Sequence, residues 1–219
     1  MSGADVGSPG AGEAPAEWRG GAIQVQVVHG HPLVDRAAAI YTEMLAAAGV
    51  ADTGSIPPPQ GRAPMRTSFH VAIDETGTAL GVVHVTLGNL EDLAIEPLVE
   101  PEQRLAAPIC EAPAIAVLPE HTGRGVTELL YRSVYCFARR QEARSLATLV
   151  DPLTLELFRE DYGIMFRALG PVTSYRGLEL VAAGEELHAL EEGLRRNRPE
   201  FLDFLTEPFT PAERIRFEL

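Results

Sequence analysis

The sequence predicts an α/β protein, of the mixed α+β kind, in which helices pack on a central sheet. Periodicity along the chain gives elements in the order β-α-β-β-β-α-β-α-β-β, which a single mixed sheet can accommodate. The chain has 219 residues, of which 46% are hydrophobic, so one domain with added segments can bury a substantial core. A third observation, a glycine-containing junction between a strand and a long helix, locates the expected functional site.

The first half of the chain is expected to contain a strand, a helix and a hairpin. Residues 23–28 alternate apolar and polar side chains, which is typical of a strand. Residues 32–48 form a helix with proline in the first turn, where it costs no hydrogen bond. Residues 67–74 and 79–86 form a hairpin around a Glu-Thr-Gly-Thr turn. Between residues 88 and 110 the pattern predicts only a short helix near 100–105.

The second half of the chain has the more regular pattern. Residues 111–118 are small and apolar on both faces, as expected of a central strand. The helix predicted at Val126–Arg140 has an apolar face built from Val126, Leu129, Leu130, Val134 and Phe137. The elements expected after it are a strand at 145–150, a helix at 152–162 ending at Gly163, strands at 164–169 and 173–181, and one or two helices from residue 185.

Composition divides the chain into three parts. Residues 1–20 are rich in Gly, Ala, Pro and Glu and are expected to be a disordered N-terminal tail. Residues 21–183 would form the folded domain, and residues 184–219 a C-terminal helical extension packed on it.

Charge and hydropathy exclude several classes of function. The formal net charge is −13, whereas nucleic acid requires a basic surface, so no nucleic-acid partner is expected. No apolar run approaches the ~20 residues of a membrane span, and the N-terminus lacks a secretory signal, which indicates the cytoplasm. The two cysteines form no metal or disulfide framework, and we expect no metal cofactor.

The junction at residues 114–131 favours a phosphate-bearing ligand. Gly123 and Gly125 allow a tight turn with nothing projecting from Cα, so that consecutive N–H groups can point into one space. The helix that begins near Val126 adds unpaired N–H donors and the positive end of its macrodipole. Such an arrangement binds phosphate or pyrophosphate.

The succession of strand, Pro119, Gly-x-Gly, amphipathic helix, strand, helix and Tyr-Gly-Ile at 162–164 resembles the GCN5-related N-acetyltransferase superfamily. There the comparable segment reads roughly V-x-P-x-(R/Q)-x-x-G-x-G/A. The resemblance covers about residues 110–182. It implies a mixed, mostly antiparallel central sheet flanked by helices, with a splayed central strand pair.

Within that superfamily the C-terminal half is similar to the long-chain N-acyl amino acid synthase and autoinducer-synthase branch. The residues that carry this similarity are Glu111 before the Ile-Ala-Val strand, Asp-Pro-Leu-Thr-Leu-Glu-Leu-Phe at 151–158, and Ser-Tyr-Arg-Gly at 174–177. The donor implied is an acyl-CoA or an acyl-phosphopantetheine, the latter on an acyl carrier protein.

The resemblance also implies which residues hold the donor. The amides of Gly123, Arg124, Gly125 and Val126 would bind its phosphate, and the strand edge at Ala116, Val117 and Leu118 would bind the pantetheine amides. Ala112, Ala114 and Ala116 would leave one face of the strand uncrowded. The Arg or Gln that the family places three residues before the first glycine is Glu120 here. A carboxylate repels pyrophosphate, which favours a carrier protein with its single phosphate.

Acyl transfer to an amine requires a base, stabilisation of the carbonyl oxygen and protonation of the leaving thiolate. Without a serine elbow or a Cys–His pair, direct attack is expected. Glu111 is the candidate base, or else it caps a strand end or pairs with an arginine. Tyr162 is the candidate acid, or else its ring belongs to the core. Tyr175 and Arg176 would bind a substrate carboxylate, although a strand-end salt bridge also explains them.

The sequence therefore predicts a cytoplasmic enzyme, an acyltransferase that moves an acyl group from a pantetheine thioester to the amine of an amino acid or peptide. Two alternatives remain open. One is an acetyl-CoA-dependent acetyltransferase of a small amine, and the other is a catalytically silent protein that uses the fold as a binding scaffold. A homodimer is compatible with each of these three functions.

Overall fold

A mixed sheet forms the centre of the protein in a computed structural model that describes residues 22–28, 33–47, 65–175 and 177–219. Nine strands lie within these residues: β1 Gln24–Val28, β2 Arg66–Ile73, β3 Ala79–Gly88, β4 Ile109–Glu111, β5 Ile115–Val117, β6 Ser145–Val150, β7 Arg167–Ala168, β8 Thr173–Tyr175 and β9 Leu178–Glu186. Six α-helices lie within them: α1 Leu33–Ala47, α2 Val126–Arg140, α3 Pro152–Tyr162, α4 Leu187–Asn197, α5 Pro199–Thr206 and α6 Pro211–Phe217.

The strands are ordered β1-β2-β3-β4-β6-β9-β7, while β5 pairs with β3 and β8 pairs with β9. Of the strand pairs in the described residues, β4 with β6 is parallel and the others are antiparallel. The mixed, mostly antiparallel sheet that the resemblance implied is therefore confirmed.

The strand expected at 111–118 is two short strands in the structure. Thr86 of β3 pairs with Glu111 and Val83 pairs with Ile115, so three steps along β3 match four steps along its partner. One extra residue in the segment 112–114 makes this a β-bulge. Pro113 lies in the bulge, where its missing N–H breaks the hydrogen-bond ladder at no further cost.

The bulge changes which face of the sheet each side chain occupies. Glu111, which precedes the bulge, lies on the face of the sheet that α1 covers. Ala112 packs with the core on the α2 side. Ala114 and Ala116 pack with the cluster on the α1 side. The expectation that Ala112, Ala114 and Ala116 share one face is therefore wrong, because the extra residue shifts the two-residue alternation of the strand by one.

Other element predictions are confirmed or need correction. The helices at 126–140 and 152–162 and the strand at 145–150 have the expected bounds. The strand expected at 173–181 is instead the β8–β9 pair, and that expected at 164–169 is reduced to Arg167–Ala168. Residues 100–105 contain no helix, and short 3₁₀ turns lie at Leu90–Asp92 and Glu96–Leu98. The tail has three helices rather than one or two.

The C-terminal helices are fixed to α2 by a buried polar contact. Glu191 of α4, 3% exposed, accepts hydrogen bonds from the Tyr135 hydroxyl at 2.6 Å and from Arg139 at 2.5 Å. The Arg139 guanidinium also donates to the carbonyl of Phe217 in α6. These contacts join α4 and α6 to α2, and α5 packs against both α2 and α4.

The domain division at residues 20 and 183 stays a prediction, and the tail at 1–20 lies outside the described residues. Of the helices in the described residues, none combines the length and the apolar character needed to cross a membrane.

Candidate active site

A cavity of about 350 Å³ opens where the central strands separate. The N–H of Ala112 still donates to the carbonyl of Ala147 at 2.9 Å, and the Thr148 hydroxyl donates to the carbonyl of Ala112 at 2.8 Å. Beyond this point β5 pairs with β3 but not with β6. The splayed central strand pair is therefore present, and the cavity occupies the space between its arms.

The cavity wall changes from polar to apolar along its length. Thr122 and Thr127 line it at the start of α2, and Tyr131 follows one turn further along the same helix face. The inner wall is apolar and comes from α3, the segment after it, and the C-terminal helices, namely Phe158, Ile164, Phe166, Leu190, Leu194, Phe201 and Leu205. Such a gradient suits a ligand with a polar head and an apolar chain.

Five backbone amides at the polar end have no backbone acceptor within the part of the chain that the structure describes. They belong to Gly123, Gly125, Val126, Thr127 and Glu128, because the first hydrogen bond of α2 runs from Leu129 to the carbonyl of Gly125. Gly123 has φ +75° and Gly125 has φ +77°, a backbone region that favours glycine. A Cβ built on Gly123 would meet no protein atom within 4 Å, so the space beside these amides is open.

The loop before α2 carries two charged side chains at the protein surface. Glu120 and Arg124 are both exposed. Nη1 of Arg124 lies 2.9 Å from Nδ1 of His121. The hydrogen-bond donors of this loop are therefore mainly backbone N–H groups, and the guanidinium of Arg124 lies at the rim of the loop.

The open edge of β5 presents main-chain groups to the cavity. The N–H of Leu118 donates to the carbonyl of Leu80 in β3 at 2.9 Å. Because hydrogen-bonding direction alternates along an antiparallel strand, Ala116 also faces β3, whereas Ile115 and Val117 turn their N–H and C=O groups toward the gap. Of the three residues expected to bind pantetheine, Val117 alone presents both groups to this edge.

Glu111 is the last residue of β4 before the bulge and is 2% exposed. Its carboxylate accepts hydrogen bonds from the backbone N–H groups of Ala94 at 3.1 Å and Ile95 at 2.8 Å. Burial raises the pKa of Glu111 to about 7, and the two N–H donors act in the opposite direction. A carboxyl group that titrates near neutrality can accept a proton from an amine.

The two tyrosines nearest the cavity differ in their partners. The Tyr162 hydroxyl donates to Glu128 at 2.8 Å, and its ring packs on Tyr131 and Phe201. Tyr162 is not among the cavity-lining residues that the structure describes. Tyr131 lines the cavity, and within the described residues its hydroxyl has no hydrogen-bond partner. Burial, with the nearby Glu128 carboxylate, raises the pKa of both hydroxyls and keeps them protonated.

The predicted acceptor-binding pair lies only partly within the described structure. Tyr175 ends β8 and packs against an apolar cluster that contains Ile95 and Leu149. This cluster covers the face of the sheet that carries Glu111. Arg176 lies outside the described residues.

The two histidines of the β2–β3 hairpin, His70 and His84, lie on opposite faces of the sheet. His70 contacts Phe137 of α2, whereas His84 contacts Tyr41 of α1. Burial lowers the pKa of His84. Across residues 22–28, 33–47, 65–175 and 177–219, no three His, Cys, Asp or Glu side chains come together in a group that could hold a metal ion.

Sequence reasoning missed the residues that shape the cavity. Tyr131 and Tyr135 both line it, and neither is among the site residues predicted from the sequence. The helical spacing of Thr127, Tyr131 and Tyr135 was a usable signal, because hydroxyl groups at i, i+4 and i+8 form one stripe.

No profile of a known protein family matches the sequence, and no curated protein matches it. Solved structures share the fold. One is BjaI, a CoA-dependent acyl-homoserine lactone synthase solved with SAM and isopentyl-CoA, with a TM-score of 0.61 and 12% identity over 90% of this chain and 99% of that chain. Another is FeeM, an N-acyl amino acid synthase from uncultured soil microbes, with a TM-score of 0.57 and 11% identity over 78% of this chain and 94% of that chain.

A GCN5-related N-acetyltransferase from Kribbella flavida also matches, with a TM-score of 0.50 and 17% identity over 76% of this chain and 99% of that chain. At these identities the likeness shows the fold. That fold is the one of the GCN5-related N-acetyltransferases, including acyl-homoserine lactone and N-acyl amino acid synthases, as the sequence resemblance predicted.

The raised pKa of Glu111 should make the free energy of unfolding depend on pH. Its pKa is raised from 4.5 to about 7 in the folded protein, so the folded state binds more protons than the unfolded state between these values. Stability from this group is present below pH 4.5 and is lost as pH rises through 7. The unfolding free energy of the wild type, relative to Glu111→Gln, should fall by about 3 kcal/mol between pH 4.5 and 8. Urea unfolding across this range measures it, and a constant difference between the two proteins would refute it.

Proposed function

We propose that the protein is an acyltransferase that moves a medium- or long-chain acyl group from a pantetheine thioester to the amine of an amino acid or peptide. The observation that carries this proposal is the cavity between the splayed strands. Unpaired amides lie at its polar end and an apolar wall at the other.

The apolar wall argues for a chain longer than acetyl. Each buried methylene contributes about 0.8 kcal/mol, so an acyl chain that fills the cavity gains several kcal/mol that an acetyl group does not. A volume of about 350 Å³ is sufficient for a small apolar ligand.

The donor would enter beside α2. Its phosphate would accept hydrogen bonds from the amides around Gly123, Gly125 and Val126, with Arg124 at the rim. The pantetheine arm would follow the open edge of β5 and form hydrogen bonds with the main-chain groups of Val117. The thioester would then lie near the point where the strands separate.

The acceptor would approach from the α1 side of the sheet, where Glu111 and Tyr175 lie, and Arg176 would help to bind its carboxylate. The amine nitrogen forms a bond to the carbonyl carbon and loses a proton to Glu111, directly or through a water molecule. The C–S bond breaks, its electron pair goes to sulfur, and the thiolate then takes a proton from water.

Two tyrosines are candidates to donate a hydrogen bond to the leaving sulfur. Tyr131 fits this role better than Tyr162, because it lines the cavity and its hydroxyl has no partner among the described residues, whereas Tyr162 donates to Glu128.

The solved structures with this fold support the choice of substrates. FeeM is an N-acyl amino acid synthase, and BjaI is a CoA-dependent synthase solved with isopentyl-CoA. A carrier protein is the alternative donor, and exposed Glu120 favours it over coenzyme A because a carboxylate repels pyrophosphate.

One observation favours a second function. Both oxygens of Glu111 are already engaged by backbone N–H groups and the residue is 2% exposed. A binding protein without catalysis needs no accessible base, so a catalytically silent binding protein for acyl thioesters is the alternative.

Donor chain length tests the proposal directly. Isothermal titration calorimetry should be run with acetyl-, octanoyl- and dodecanoyl-phosphopantetheine and with the matching coenzyme A thioesters. Octanoyl donors should bind at least a hundredfold more tightly than acetyl donors, because about six added methylenes become buried. Equal affinity for acetyl and octanoyl donors would contradict the proposal.

Gly123→Ala and Gly77→Ala form a matched pair of variants for this measurement. Both glycines have positive φ, +75° and +80°, and an added Cβ meets nothing within 4 Å at either. Each substitution should therefore cost a similar ~1 kcal/mol of stability. Only Gly123→Ala places a methyl group beside the free amides, so only this variant should lose donor affinity, by at least tenfold.

Glu111→Gln separates catalysis from donor binding. With an amine acceptor identified from a panel of amino acids, this variant should lose at least tenfold in turnover while its donor affinity stays within twofold of the wild type. Unchanged turnover would remove Glu111 from the mechanism.

A further inference from the structure

A second cavity of about 650 Å³ lies between α2, the edge strand β1 and the first residue of β2. It shares no described lining residue with the cavity between the splayed strands. Its α2 wall is formed by Leu129, Arg132, Ser133, Cys136 and Phe137, which lie on a different side of the helix from Tyr131. We call this second cavity the edge groove.

The described lining of the edge groove is basic, whereas the protein as a whole is acidic. The chain has 31 acidic and 18 basic residues, yet the described lining of the groove contains three arginines, Arg66, Arg132 and Arg140, and no acidic residue. Arg132 bonds to Glu207 at 2.7 Å and Arg140 to Glu213 at 2.8 Å, whereas Arg66 bonds to the neutral amide of Gln141 at 2.7 Å. Within the described contacts, the Arg66 charge is thus not neutralised.

A buried polar chain ends at the surface of the groove. His70 is 0% exposed, its Nδ1 lies 2.8 Å from the Ser133 hydroxyl, and its Nε2 lies 3.3 Å from the Ser68 hydroxyl. Of the three, Ser133 lines the groove. With the Nδ1–H tautomer of His70 donating to Ser133, the serine hydroxyl is oriented to donate its own proton into the groove.

Apolar side chains form the other walls of the groove, together with the amide side chains of Gln24 and Gln141. Val25 and Val27 line it from β1, with Ile23 just before that strand, and Leu129 and Phe137 face them from α2. Val27 is 43% exposed, a large fraction for an apolar side chain beside a cavity. The groove therefore combines cationic and hydroxyl donors with apolar walls.

We propose that the edge groove is a second ligand site, for a small anion of the carboxylate or phosphate class whose remaining part is apolar. Arg66 supplies the charge, Ser133 a hydroxyl donor, and the β1 and α2 side chains the apolar contact. Guanidinium groups bind planar carboxylates and phosphates through paired N–H donors. The proposal is independent of the acyl-transfer chemistry.

The test is a titration of the ¹⁵N-labelled full chain, followed by amide NMR shifts. Phenyl phosphate is the probe, and inorganic phosphate and phenol carry its two halves separately. Phenyl phosphate should shift the amide signals of Val25, Ser133 and Phe137, and bind at least fivefold more tightly than either half.

Matched arginine variants identify the site. Arg66→Gln should weaken phenyl phosphate at least fivefold, whereas Arg159→Gln, an exposed arginine on α3, should leave its affinity unchanged; amide spectra confirm that both variants fold. Equal affinity in the two variants, or shifts confined to residues 122–128, would overturn the proposal. If inorganic phosphate bound as tightly as phenyl phosphate, the proposed contact between the ligand's apolar part and the β1 and α2 side chains would be wrong.

Discussion

One extra residue between β4 and β5 is the constraint on which the rest of the site depends. Hydrogen bonding to β3 continues on both sides of the bulge, so the chain must change face and leave β6. Residues of both arms line the gap, Ile115 and Val117 from β5 and Thr148 and Val150 from β6. The pairing between β4 and β6 ends at Glu111 and Ala147, at the start of the bulge, so the bulge and the opening of the cavity coincide.

The same bulge places Glu111 and the cavity on opposite sides of the sheet. Glu111 precedes it and lies on the α1 side, in contact with the backbone of residues 94 and 95. The donor cavity lies on the α2 side, covered by the C-terminal helices that Glu191 holds against α2. In the proposed reaction the donor and the acceptor would meet at the opening itself, where the thioester is exposed to both sides.

The sequence was sufficient for features that depend on local physics. The glycines at 123 and 125 indicated a tight turn before a helix, and the apolar spacing of 126–140 predicted a helix whose bounds agree with the structure. Features that depend on register were not predictable in this way. The faces of Ala112, Ala114 and Ala116 follow from pairing with β3, which a single strand's pattern does not contain.

The cavity itself was also beyond sequence reasoning, because its wall is assembled from distant segments. Phe158, Phe166, Leu190 and Phe201 each look like ordinary core residues, and only the fold brings them around one space. The C-terminal helices were expected to pack on the domain, but nothing in their composition indicated that they line a ligand cavity.

The central claim is that an acyl chain lies between the splayed strands and the C-terminal helices. A dodecanoyl-phosphopantetheine donor with a diazirine near the chain end, irradiated on the full-length protein and mapped by peptide mass spectrometry, tests this most directly. The account predicts crosslinks to the inner wall, at residues such as Phe166, Leu190 and Leu194. Crosslinks confined to the edge groove or to the exposed surface would contradict it.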